Sequence, residues 1–465
     1  MSRQCYNTLQ DFLALAAEFR LVGDLEAQQF NHIIQDRFNQ YQQFFQTYHY
    51  PPQVLLAESD PLQFLGSFIA GVAANCPIFL GNPHWKAIEW QQVFLQVQPD
   101  IILGQVSLTP PTIYHSNLHN LAGLIMIPTG GTSGQIKFVV HTWETLTASA
   151  QGFQQYFQCN SVNSYCVLPL YHVSGLMQFI RSFTSKGQLM IQSFNQVKLG
   201  NFIEIHPSSF FISLVPTQLQ SLLQSPQTVQ WLSQFHTVLL GGAPAWLELL
   251  ETARLSKIRL APTYGMTETA SQIATLKPDE FLAGYQNSGH ILPHAKIRIS
   301  EADSEDLRSH KTGTLTIESK SLMWGYYHSK FNPANRIKQF NSDDLGYIDE
   351  QGYLTILGRN SDKIITGGEK VFPAEVEAVI RATGKVKDVC IIGLPDSYWG
   401  QVVTAVYTPL TPEINLEILK KSLTDKLSKY KHPKLWIPIE TIPYNAQGKV
   451  NRKTLQVWIE SLKNG

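Results

Sequence analysis

Short apolar runs alternate with stretches of helical spacing in the first part of the chain, and this alternation limits the possible folds more than any other feature. The apolar runs cover residues 121–128, 165–170, 210–215 and 237–240, and helical spacing is present in 143–157 and 216–223. Runs this short and apolar are typical of strands buried on both faces, which helices cover in parallel sheets. The pattern predicts an α/β core with largely parallel sheets.

The pattern changes twice after this core. Residues 296–327 contain short strands separated by turns, which favours a small antiparallel β subdomain. Later, a helix is predicted to begin at Pro373 and to end before Gly384, because proline suits a first turn and glycine suits the position after a last turn. Leucines at helical spacing then indicate an amphipathic helix: Leu416, Leu419, Leu423 and Leu427. We therefore predict an N-terminal domain over 1–360 and a C-terminal α+β domain over 361–465.

Charge and apolar patterning exclude two broad classes of function. The chain has 36 Lys plus Arg and 36 Asp plus Glu, so it lacks the basic surplus that nucleic acids or acidic membranes attract. Its longest apolar stretch, 62–80, is interrupted by polar residues and Pro77, whereas a membrane span needs about 20 mostly apolar residues. The N-terminus shows no signal-peptide pattern, and the five cysteines are scattered without a C-x-x-C pair. We expect a cytoplasmic protein with reduced thiols.

A loop rich in glycine and hydroxyl groups directly follows the apolar run 121–128. Three glycines let backbone N–H groups turn toward one point, three hydroxyl side chains add donors, and Lys137 adds a positive charge. The members of the loop are Thr129, Gly130, Gly131, Thr132, Ser133, Gly134 and Lys137. It is not a Walker A loop, which needs G-x-x-x-x-G-K-[ST]. The composition predicts a phosphate-binding loop, with an ordinary surface turn as the alternative.

This loop is the first of four motifs along the chain. The others are Y-G-M-T-E at 264–268, S-D-D-L-G at 342–346 followed by G-R at 358–359, and N-A-Q-G-K-V-N-R at 445–452. In this order and spacing they resemble the adenylate-forming superfamily of acyl-CoA synthetases, luciferases and peptide-synthetase adenylation domains. The loop departs from the superfamily's T-S-G-T-T-G-x-P-K-G at Gly130, Ile136 and Phe138. Taken singly, each motif also fits a solvated turn or surface charge.

The resemblance implies a site for ATP and Mg²⁺. It assigns to ATP the residues Thr129, Gly130, Gly131, Thr132, Ser133, Gly134, Lys137, Gly242, Ala243, Tyr264, Asp344 and Arg359. Tyr264 would lie against adenine, and Asp344 and Arg359 would bind the ribose hydroxyls. Thr267 would contact phosphate, and Glu268 would hold Mg²⁺, which prefers carboxylate oxygens.

The resemblance also implies a reaction in two steps. A carboxylate attacks the α-phosphorus of ATP, with Lys449 between the two reacting anions, and an acyl-adenylate and Mg·pyrophosphate form. The C-terminal domain is expected to be mobile, to rotate near the hinge residue Ser361, and to present Gly367 and Gly368 to the acyl acceptor. Many relatives have a charged residue at the hinge position. Because the chain ends shortly after Lys449, no fused carrier domain is expected, and a free thiol such as coenzyme A is favoured.

The segment 168–181 corresponds to the superfamily's acyl pocket. There His172 would position the substrate carboxylate, with a structural core histidine as the alternative, and Ser174 and Gly241 would line the substrate site. Arg181 lies in an otherwise apolar run, and a buried arginine must be paired. Either an acidic side chain of the protein or an anionic substrate group neutralises it, and both interpretations stay open.

Within the superfamily, the chain most resembles the family of 2-succinylbenzoate–CoA ligases of menaquinone and phylloquinone biosynthesis. A second carboxylate on such an aromatic acid would suit Arg181 and Ser174. The alternatives are another aryl- or acyl-CoA ligase, acting on a benzoate-like or fatty acid, and a non-catalytic nucleotide-binding relative, which would have no use for Lys449. Because many members of the superfamily are dimers, a homodimer is also an expectation.

Overall fold

The computed structural model describes residues 8–22, 27–108, 121–130, 135–301, 312–328, 331–411, 415–424, 426–443, 450 and 452–464. Within these residues, two large sheets with helices are followed by a small antiparallel sheet and a C-terminal α+β unit.

The α-helices of the described residues are numbered in chain order. They are α1 (Leu9–Glu18), α2 (Ala27–Tyr48), α3 (Pro61–Ala73), α4 (Ala87–Phe94), α5 (Trp143–Phe157), α6 (Val173–Thr184), α7 (Phe194–Lys198), α8 (Pro216–Leu222), α9 (Pro226–Leu232), α10 (Leu247–Leu255), α11 (Pro278–Leu282), α12 (Pro373–Arg381), α13 (Leu416–Lys421) and α14 (Arg452–Asn464). The side chains of Asp60 and Thr142 accept backbone N–H bonds at the starts of α3 and α5. Pro373 occupies the first turn of α12, as the sequence predicts.

The strands of the described residues are numbered in the same way. They are β1 (Arg20–Val22), β2 (Val54–Ala57), β3 (Ile78–Leu80), β4 (Ile101–Gly104), β5 (Leu124–Gly130), β6 (Ile136–Thr142), β7 (Asn163–Cys166), β8 (Gln188–Ile191), β9 (Phe210–Leu214), β10 (Thr237–Leu240), β11 (Leu260–Met266), β12 (Ser271–Thr275), β13 (His290–Ile291), β14 (Ala295–Glu301), β15 (Gly313–Ser319), β16 (Gly325–Tyr326), β17 (Phe340–Ile348), β18 (Leu354–Arg359), β19 (Ile364–Thr366), β20 (Glu369–Val371), β21 (Val386–Asp396), β22 (Gly400–Pro409) and β23 (Leu435–Pro438).

Two large sheets form the N-terminal part. The first has the order β1-β8-β7-β9-β10-β11-β12-β13, and its pairs from β1 to β11 are parallel. The second has the order β16-β6-β5-β3-β2-β4, in which β5, β3, β2 and β4 are parallel and the β6 and β16 pairings are antiparallel. The predicted α/β core with largely parallel sheets is confirmed.

One hydrophobic cluster joins the two sheets through the helices that pack on them. It contains Ile125 of the second sheet, Leu189 of the first, Phe68 of α3 and Phe179 of α6, all buried. The rings of Phe68 and Phe179 meet edge to face with their centroids 6.5 Å apart. Because α6 is fixed in this core, the residues at its N-terminus have a rigid support.

The antiparallel subdomain and the C-terminal unit follow in chain order. Strands β14-β15-β17-β18 form an antiparallel sheet, which confirms the predicted small subdomain. In the C-terminal unit, the sheet β20-β19-β22-β21 carries β23 on β22, and α12 and α14 pack on β21. The predicted domain boundary at 360/361 lies in the connection between β18 and β19.

Two secondary-structure predictions need correction. The strand predicted over 121–128 begins at Leu124, because residues 121–123 form a turn in which Gly123 has a φ of 73°. The amphipathic helix predicted from Leu416 to Leu427 ends at Lys421. The hydroxyl of Ser422 binds the carbonyl of Leu419 at 2.6 Å and closes the helix, and the turn that follows still buries Leu423 and Leu427. Leucine spacing alone therefore gave a helix that was too long.

None of helices α1 to α14 has both the length and the apolarity needed to cross a bilayer, as far as the described residues extend.

Candidate active site

The phosphate loop connects two antiparallel strands. Thr129 at the end of β5 pairs with Lys137 at the start of β6, and Gly130 pairs with Ile136. The predicted loop residues Gly131, Thr132, Ser133 and Gly134 lie outside the described residues. Lys137 and Tyr326 both line an open cavity of about 520 Å³. Backbone hydrogen bonds set the register of the two strands, so the pairing fixes Lys137 relative to Thr129.

Two glutamines, Gln92 on α4 and Gln96 two residues after its end, bind this hairpin next to its loop. The side-chain oxygen of Gln92 accepts from the backbone N–H of Ile136 at 3.0 Å, and the side-chain nitrogen of Gln96 donates to the carbonyl of Ile136 at 3.0 Å. Both backbone groups of Ile136 are thereby satisfied, one residue before Lys137. The hairpin is therefore held from the side by a helix as well as by its own strand pairing.

The carboxyl ends of the parallel strands bring further predicted residues together. Gly241, Gly242 and Ala243 directly follow β10, and Tyr264 lies on the neighbouring parallel strand β11. A Cβ at Gly241 would lie 2.6 Å from the hydroxyl oxygen of Thr263, and Gly242 has a φ of 83°, which favours glycine. In open α/β sheets this edge is where ligands bind.

Three residues from two of the motifs form a chain of polar contacts. The hydroxyl of Tyr264 donates to the Oδ2 atom of Asp344 at 2.7 Å. Asp344 on β17 faces Arg359 on β18 in the strand register, and the Nε atom of Arg359 lies 3.6 Å from the Oδ1 atom of Asp344. Burial and the Asp344 carboxylate both raise the pKa of Tyr264, so its hydroxyl stays protonated and donates. The arrangement presents an aromatic ring, an acceptor and a cationic donor close to one another.

Glu268 lies on a strained turn at the end of β11. A 3-10 helix spans Thr267–Thr269, and Ala270 and Ser271 then have φ values of 50° and 87°, which L-residues rarely adopt. A further constraint comes from Gly265, where a Cβ would lie 2.2 Å from the carbonyl oxygen of Ser271. Only glycine fits there.

Donors from other segments hold the carbonyls of this turn. The backbone N–H of Met323 donates to the carbonyl of Glu268 at 2.9 Å. The hydroxyls of Ser321 and Ser149 donate to the carbonyls of Thr269 and Ala270 at 2.8 and 2.7 Å. Such over-determination is what a strained backbone needs in order to persist.

Tyr326, which belongs to none of the four sequence motifs, joins Glu268 to the hairpin of β5 and β6 that carries the predicted phosphate loop, called the phosphate hairpin below. Its hydroxyl donates to the Oε1 atom of Glu268 at 2.6 Å, and the Nζ atom of Lys137 lies 5.7 Å from the centre of its ring. Strand β16 places Tyr326 beside Val139 of β6. Burial and Glu268 raise the pKa of Tyr326, which keeps the hydroxyl a donor. Its separation from Glu268 by 58 residues leaves no sequence pattern that reveals the contact.

The acidic groups of this edge fit a magnesium ion that is brought by a nucleotide. No cluster of three or more His, Cys, Asp or Glu side chains able to hold a metal occurs among the described residues. Mg²⁺ needs no such cluster, because proteins often hold it through one or two carboxylates while phosphates and waters supply the other ligands. The half-buried Glu268 carboxylate offers a donor of this kind.

The predicted acyl segment begins helix α6. His172 precedes the helix in an extended conformation, and its ring lies 4.6 Å from that of Tyr171. Ser174 lies in the first turn and Arg181 in the last turn of the same helix. Seven residues correspond to about 10 Å along a helix axis, so Arg181 lies about two turns deeper in the protein than Ser174.

Arg181 is buried, and its guanidinium contacts a hydroxyl group and an aromatic ring. It donates to the hydroxyl of Ser271 at 3.0 Å and lies over the ring of Phe153 at 4.4 Å, and its Nε atom has no hydrogen-bond partner among the described residues. Burial lowers the pKa of Arg181 to about 9. No acidic side chain of the described residues forms an ion pair with it. The buried arginine therefore has capacity for a further anionic partner.

The predicted site residues that follow β18 lie at two different places in the chain. Gly367 and Gly368 form the turn between β19 and β20 with φ values of 59° and 86°, and a Cβ at Gly367 would lie 2.7 Å from the ring of Trp399. The backbone N–H of Ser361 donates to Asp343 at 3.2 Å, and its hydroxyl also donates to that carboxylate. The predicted hinge residue is thus tied to the strand that carries Asp344.

Lys449 lies outside the described residues, but the arginine that ends its motif is well anchored. The Nη2 atom of Arg452 lies 2.6 Å from the Oε1 atom of Glu377, and its Nη1 atom lies 3.6 Å from the Oδ2 atom of Asp362. Asp362 directly follows Ser361, the predicted hinge residue.

The fold and this edge of side chains define the class of AMP-binding, adenylate-forming enzymes. The AMP-binding enzyme family matches residues 63–327, more than half of the chain, and the AMP-binding enzyme C-terminal domain matches residues 375–449. The superfamily that the four motifs indicate is therefore confirmed.

Within this class, the chain belongs to the family of 2-succinylbenzoate–CoA ligases. It is 35% identical over 341 residues to the ligase of Geobacillus sp. (strain WCH70), a match that covers 72% of this chain and 69% of the relative. It is 30% identical over 382 residues to the ligase of Enterococcus faecalis, with 81% and 78% covered. The prediction of an AMP-forming acid–CoA ligase is confirmed.

Solved structures agree with this assignment at the level of the fold. The o-succinylbenzoate CoA synthetase (MenE) of Bacillus subtilis in complex with the acyl-adenylate intermediate OSB-AMP matches with a TM-score of 0.77 at 24% identity, over 96% of this chain and 97% of that one. The same enzyme in complex with ATP and magnesium ion matches with a TM-score of 0.75 at 23% identity, over 96% and 98%.

Proposed function

We propose that the chain converts 2-succinylbenzoate, ATP and coenzyme A into 2-succinylbenzoyl-CoA, AMP and pyrophosphate, as a step of menaquinone or phylloquinone biosynthesis. The observation that carries this proposal is the contact chain from Tyr264 through Asp344 to Arg359, beside the Lys137, Tyr326 and Glu268 group. Family membership supplies the acid and the thiol.

In the first step, an oxygen of the substrate carboxylate forms a bond to the α-phosphorus of ATP, and the bond from that phosphorus to the bridging oxygen breaks. Pyrophosphate leaves with both electrons of the broken bond. Little covalent chemistry falls to the protein, so positioning and charge neutralisation dominate. Residues 129–137 hold the β- and γ-phosphates, and Lys449 neutralises charge between the two anions. Mg²⁺, held by Glu268, would neutralise phosphate charge when bound.

The residues that hold the nucleoside are different from those that surround the reacting atoms. The ring of Tyr264 offers its face to adenine, next to Gly242 and Ala243 at the end of β10. Asp344 accepts hydrogen bonds from the ribose hydroxyls and Arg359 donates to them. Each hydroxyl of a vicinal diol can act as donor and as acceptor, so both contacts can form. Thr267 lies one residue before Glu268 and donates its hydroxyl to phosphate.

Arg181 supports a dicarboxylate as the acid. Of the two interpretations left open by the sequence, pairing with a protein acid has no support among the described residues. We propose that Arg181 binds the second carboxylate of the substrate. Ser174, His172 and Gly241 then contact its ring and its reacting carboxylate. With a monocarboxylate, the contacts left to the guanidinium among the described residues would be the hydroxyl of Ser271 and the ring of Phe153.

In the second step, the thiolate of coenzyme A attacks the carbonyl carbon of the mixed anhydride, and AMP leaves with the electrons of the broken C–O bond. We propose that the mobile C-terminal domain, 361–465, rotates near Ser361 relative to the domain 1–360. The rotation withdraws Lys449 and brings Gly367 and Gly368 to the thiol. A homodimer and a cytoplasmic location belong to the same proposal.

Replacing Arg181 tests the acid. In Arg181→Met the KM for 2-succinylbenzoate should rise at least about tenfold while the KM for ATP stays within about twofold, because one buried charge pair to the substrate is lost. Arg254→Met is the matched control, since Arg254 also lies over a phenylalanine ring, 4.6 Å from Phe281, but away from this edge.

Equal increases of both KM values in Arg181→Met would contradict the assignment of Arg181. Preferred turnover of benzoate or a medium-chain fatty acid by the unmodified chain would favour another acyl-CoA ligase.

A further inference from the structure

A buried histidine links the phosphate hairpin to the Glu268 turn. His141 lies on β6 and is fully buried. Its Nε2 atom lies 2.7 Å from the carbonyl oxygen of Thr267, which is 126 residues away in sequence, and its Nδ1 atom lies 3.0 Å from the hydroxyl of Thr145. None of the roles proposed above uses this side chain.

The partners of the ring determine where its proton lies. The carbonyl of Thr267 can only accept, so Nε2 carries the hydrogen, and Nδ1 of a neutral ring must then accept. Thr145 can supply that hydrogen, because its hydroxyl oxygen accepts from the backbone N–H of Thr142 at 3.0 Å and its proton has two acceptors within reach, the Thr142 carbonyl at 2.9 Å and Nδ1 of His141 at 3.0 Å. Burial lowers the pKa of His141 to about 4, so the ring is neutral near pH 7.

His141 and Lys137 lie on the same strand, β6. Side chains of a strand alternate between faces, so Lys137 and His141, four residues apart, project from the same face of β6 about 13 Å from each other. Lys137 is exposed beside Tyr326, and His141 is buried under the Thr267 carbonyl. Strand β6 therefore contacts the Lys137, Tyr326 and Glu268 group at two places. Lys137 lies beside Tyr326, and His141 binds the carbonyl of Thr267, the residue before Glu268.

We propose that His141 is a positioning residue for the first step, which donates from Nε2 to the Thr267 carbonyl and so fixes the Thr267 and Glu268 side chains relative to the phosphate hairpin. The inference rests on the proposed function, since it assigns His141 to adenylate formation and not to the thiol step. The carbonyl of Thr267 also accepts from the backbone N–H of Ala270 at 3.1 Å, a contact within the turn that does not connect it to β6. His141 supplies that connection.

Two substitutions separate positioning from simple packing. The Nε2 atom of glutamine lies as many bonds from Cα as the Nε2 atom of histidine, so His141→Gln keeps a donor for Thr267. His141→Asn reaches only as far as Nδ1 does, so it keeps the contact to Thr145 and loses the one to Thr267. His236→Gln and His236→Asn are the controls, because Nδ1 of His236 also contacts a threonine hydroxyl, that of Thr237 at the start of β10, at 2.9 Å.

The two half-reactions are measured separately: pyrophosphate release with saturating ATP and 2-succinylbenzoate, and thioester formation from supplied acyl-adenylate and coenzyme A. We expect His141→Asn to lower the kcat of pyrophosphate release at least about tenfold, His141→Gln to remain within about threefold of the unmodified chain, and thioester formation to stay within about twofold in both. Unchanged pyrophosphate release in His141→Asn would overturn the proposal. Equal losses by both variants in both half-reactions would also overturn it.

A measurement on the unmodified chain keeps the test independent of how the variants fold. Nitrogen-15 NMR of labelled histidine at pH 7 should show, for the unmodified chain, a neutral ring with the hydrogen on Nε2 whose signal is absent from the spectrum of His141→Gln. Loss of a signal with the hydrogen on Nδ1 instead would overturn the proposal. Failure of the unmodified chain to activate 2-succinylbenzoate would instead count against the proposed function and leave the NMR result to decide on His141.

Discussion

The hydroxyl of Tyr264 donates to the carboxylate of Asp344 at 2.7 Å, although 80 residues separate the two in sequence. Tyr264 lies on β11 of the first large sheet, two residues before the end of the strand, and Asp344 lies in the small antiparallel sheet. The bond therefore connects two sheets at the place where we assign the nucleoside. It also orients the Asp344 carboxylate toward the space that it shares with Arg359.

Tyr264→Phe should weaken ATP binding without removing the aromatic face. We expect the KM for ATP to rise about fivefold and the free energy of unfolding to fall by about 1 to 2 kcal/mol, because the hydrogen bond to a charged group is lost. Steady-state kinetics and urea unfolding measure the two effects. Tyr353→Phe is the control, since Tyr353 donates to Glu280 at 3.0 Å away from the site. An unchanged KM for ATP would remove Tyr264 and Asp344 from the nucleoside site.

Glu268→Gln keeps the shape of the side chain and removes its charge. We expect the rate of pyrophosphate release at saturating ATP to fall at least about 100-fold, the usual effect of removing one positioned electrostatic group. Glu280→Gln is the matched control, because Glu280 also accepts from a tyrosine hydroxyl. A loss that equals that of the control would contradict the assignment of Glu268 to Mg²⁺.

Gly367→Ala tests the turn that we assign to the thiol step. The new Cβ would lie 2.7 Å from the ring of Trp399 at a φ of 59°, so the turn must shift. We expect thioester formation to slow at least about tenfold and pyrophosphate release to change little. Gly384→Ala has the same strain at a φ of 63° but nothing within 4 Å, so it serves as the control. Slower pyrophosphate release with normal thioester formation would reverse the assignment.

His294 should make the protein less stable in acid. Burial, together with the nearby Arg181 and Lys320, lowers the pKa of His294 to about 4, whereas an unfolded histidine titrates near about 6.5. The unfolded chain therefore binds more protons between these values, so His294 contributes stability above about pH 6.5 that is lost as the pH falls toward 4, up to about 3 kcal/mol.

His294→Gln removes this titration. The difference in free energy of unfolding between the variant and the unmodified chain, measured by urea unfolding from pH 4 to 8, should therefore change with pH across that window. A difference that does not depend on pH would contradict a buried neutral ring.

Sequence patterns were sufficient where the signal is local. Strand β10 over Thr237–Leu240 and helix α5 over Trp143–Phe157 occur with the predicted ends, because apolar runs, periodicity and caps are read within a few residues. The motif residues were likewise found by short patterns. The length of α13 was overestimated because a turn can bury leucines at the same spacing as a helix.

The contacts that complete the site could not be predicted in this way. Tyr326 to Glu268, His141 to Thr267 and Ser361 to Asp343 join residues that are 58, 126 and 18 positions apart. No periodicity extends between such residues, because the strand order of the sheets brings them together. Knowing which strands are neighbours was necessary to find them.

The most direct test of the account is product formation from ATP, Mg²⁺ and coenzyme A with 2-succinylbenzoate, benzoate and a medium-chain fatty acid in parallel. Pyrophosphate release is followed for each acid with and without coenzyme A, and the thioester is identified by its mass. We expect rapid pyrophosphate release and a coenzyme A thioester with 2-succinylbenzoate and with neither of the other two acids. Thioester formation from a monocarboxylate in preference to 2-succinylbenzoate, or no release with 2-succinylbenzoate, would contradict it.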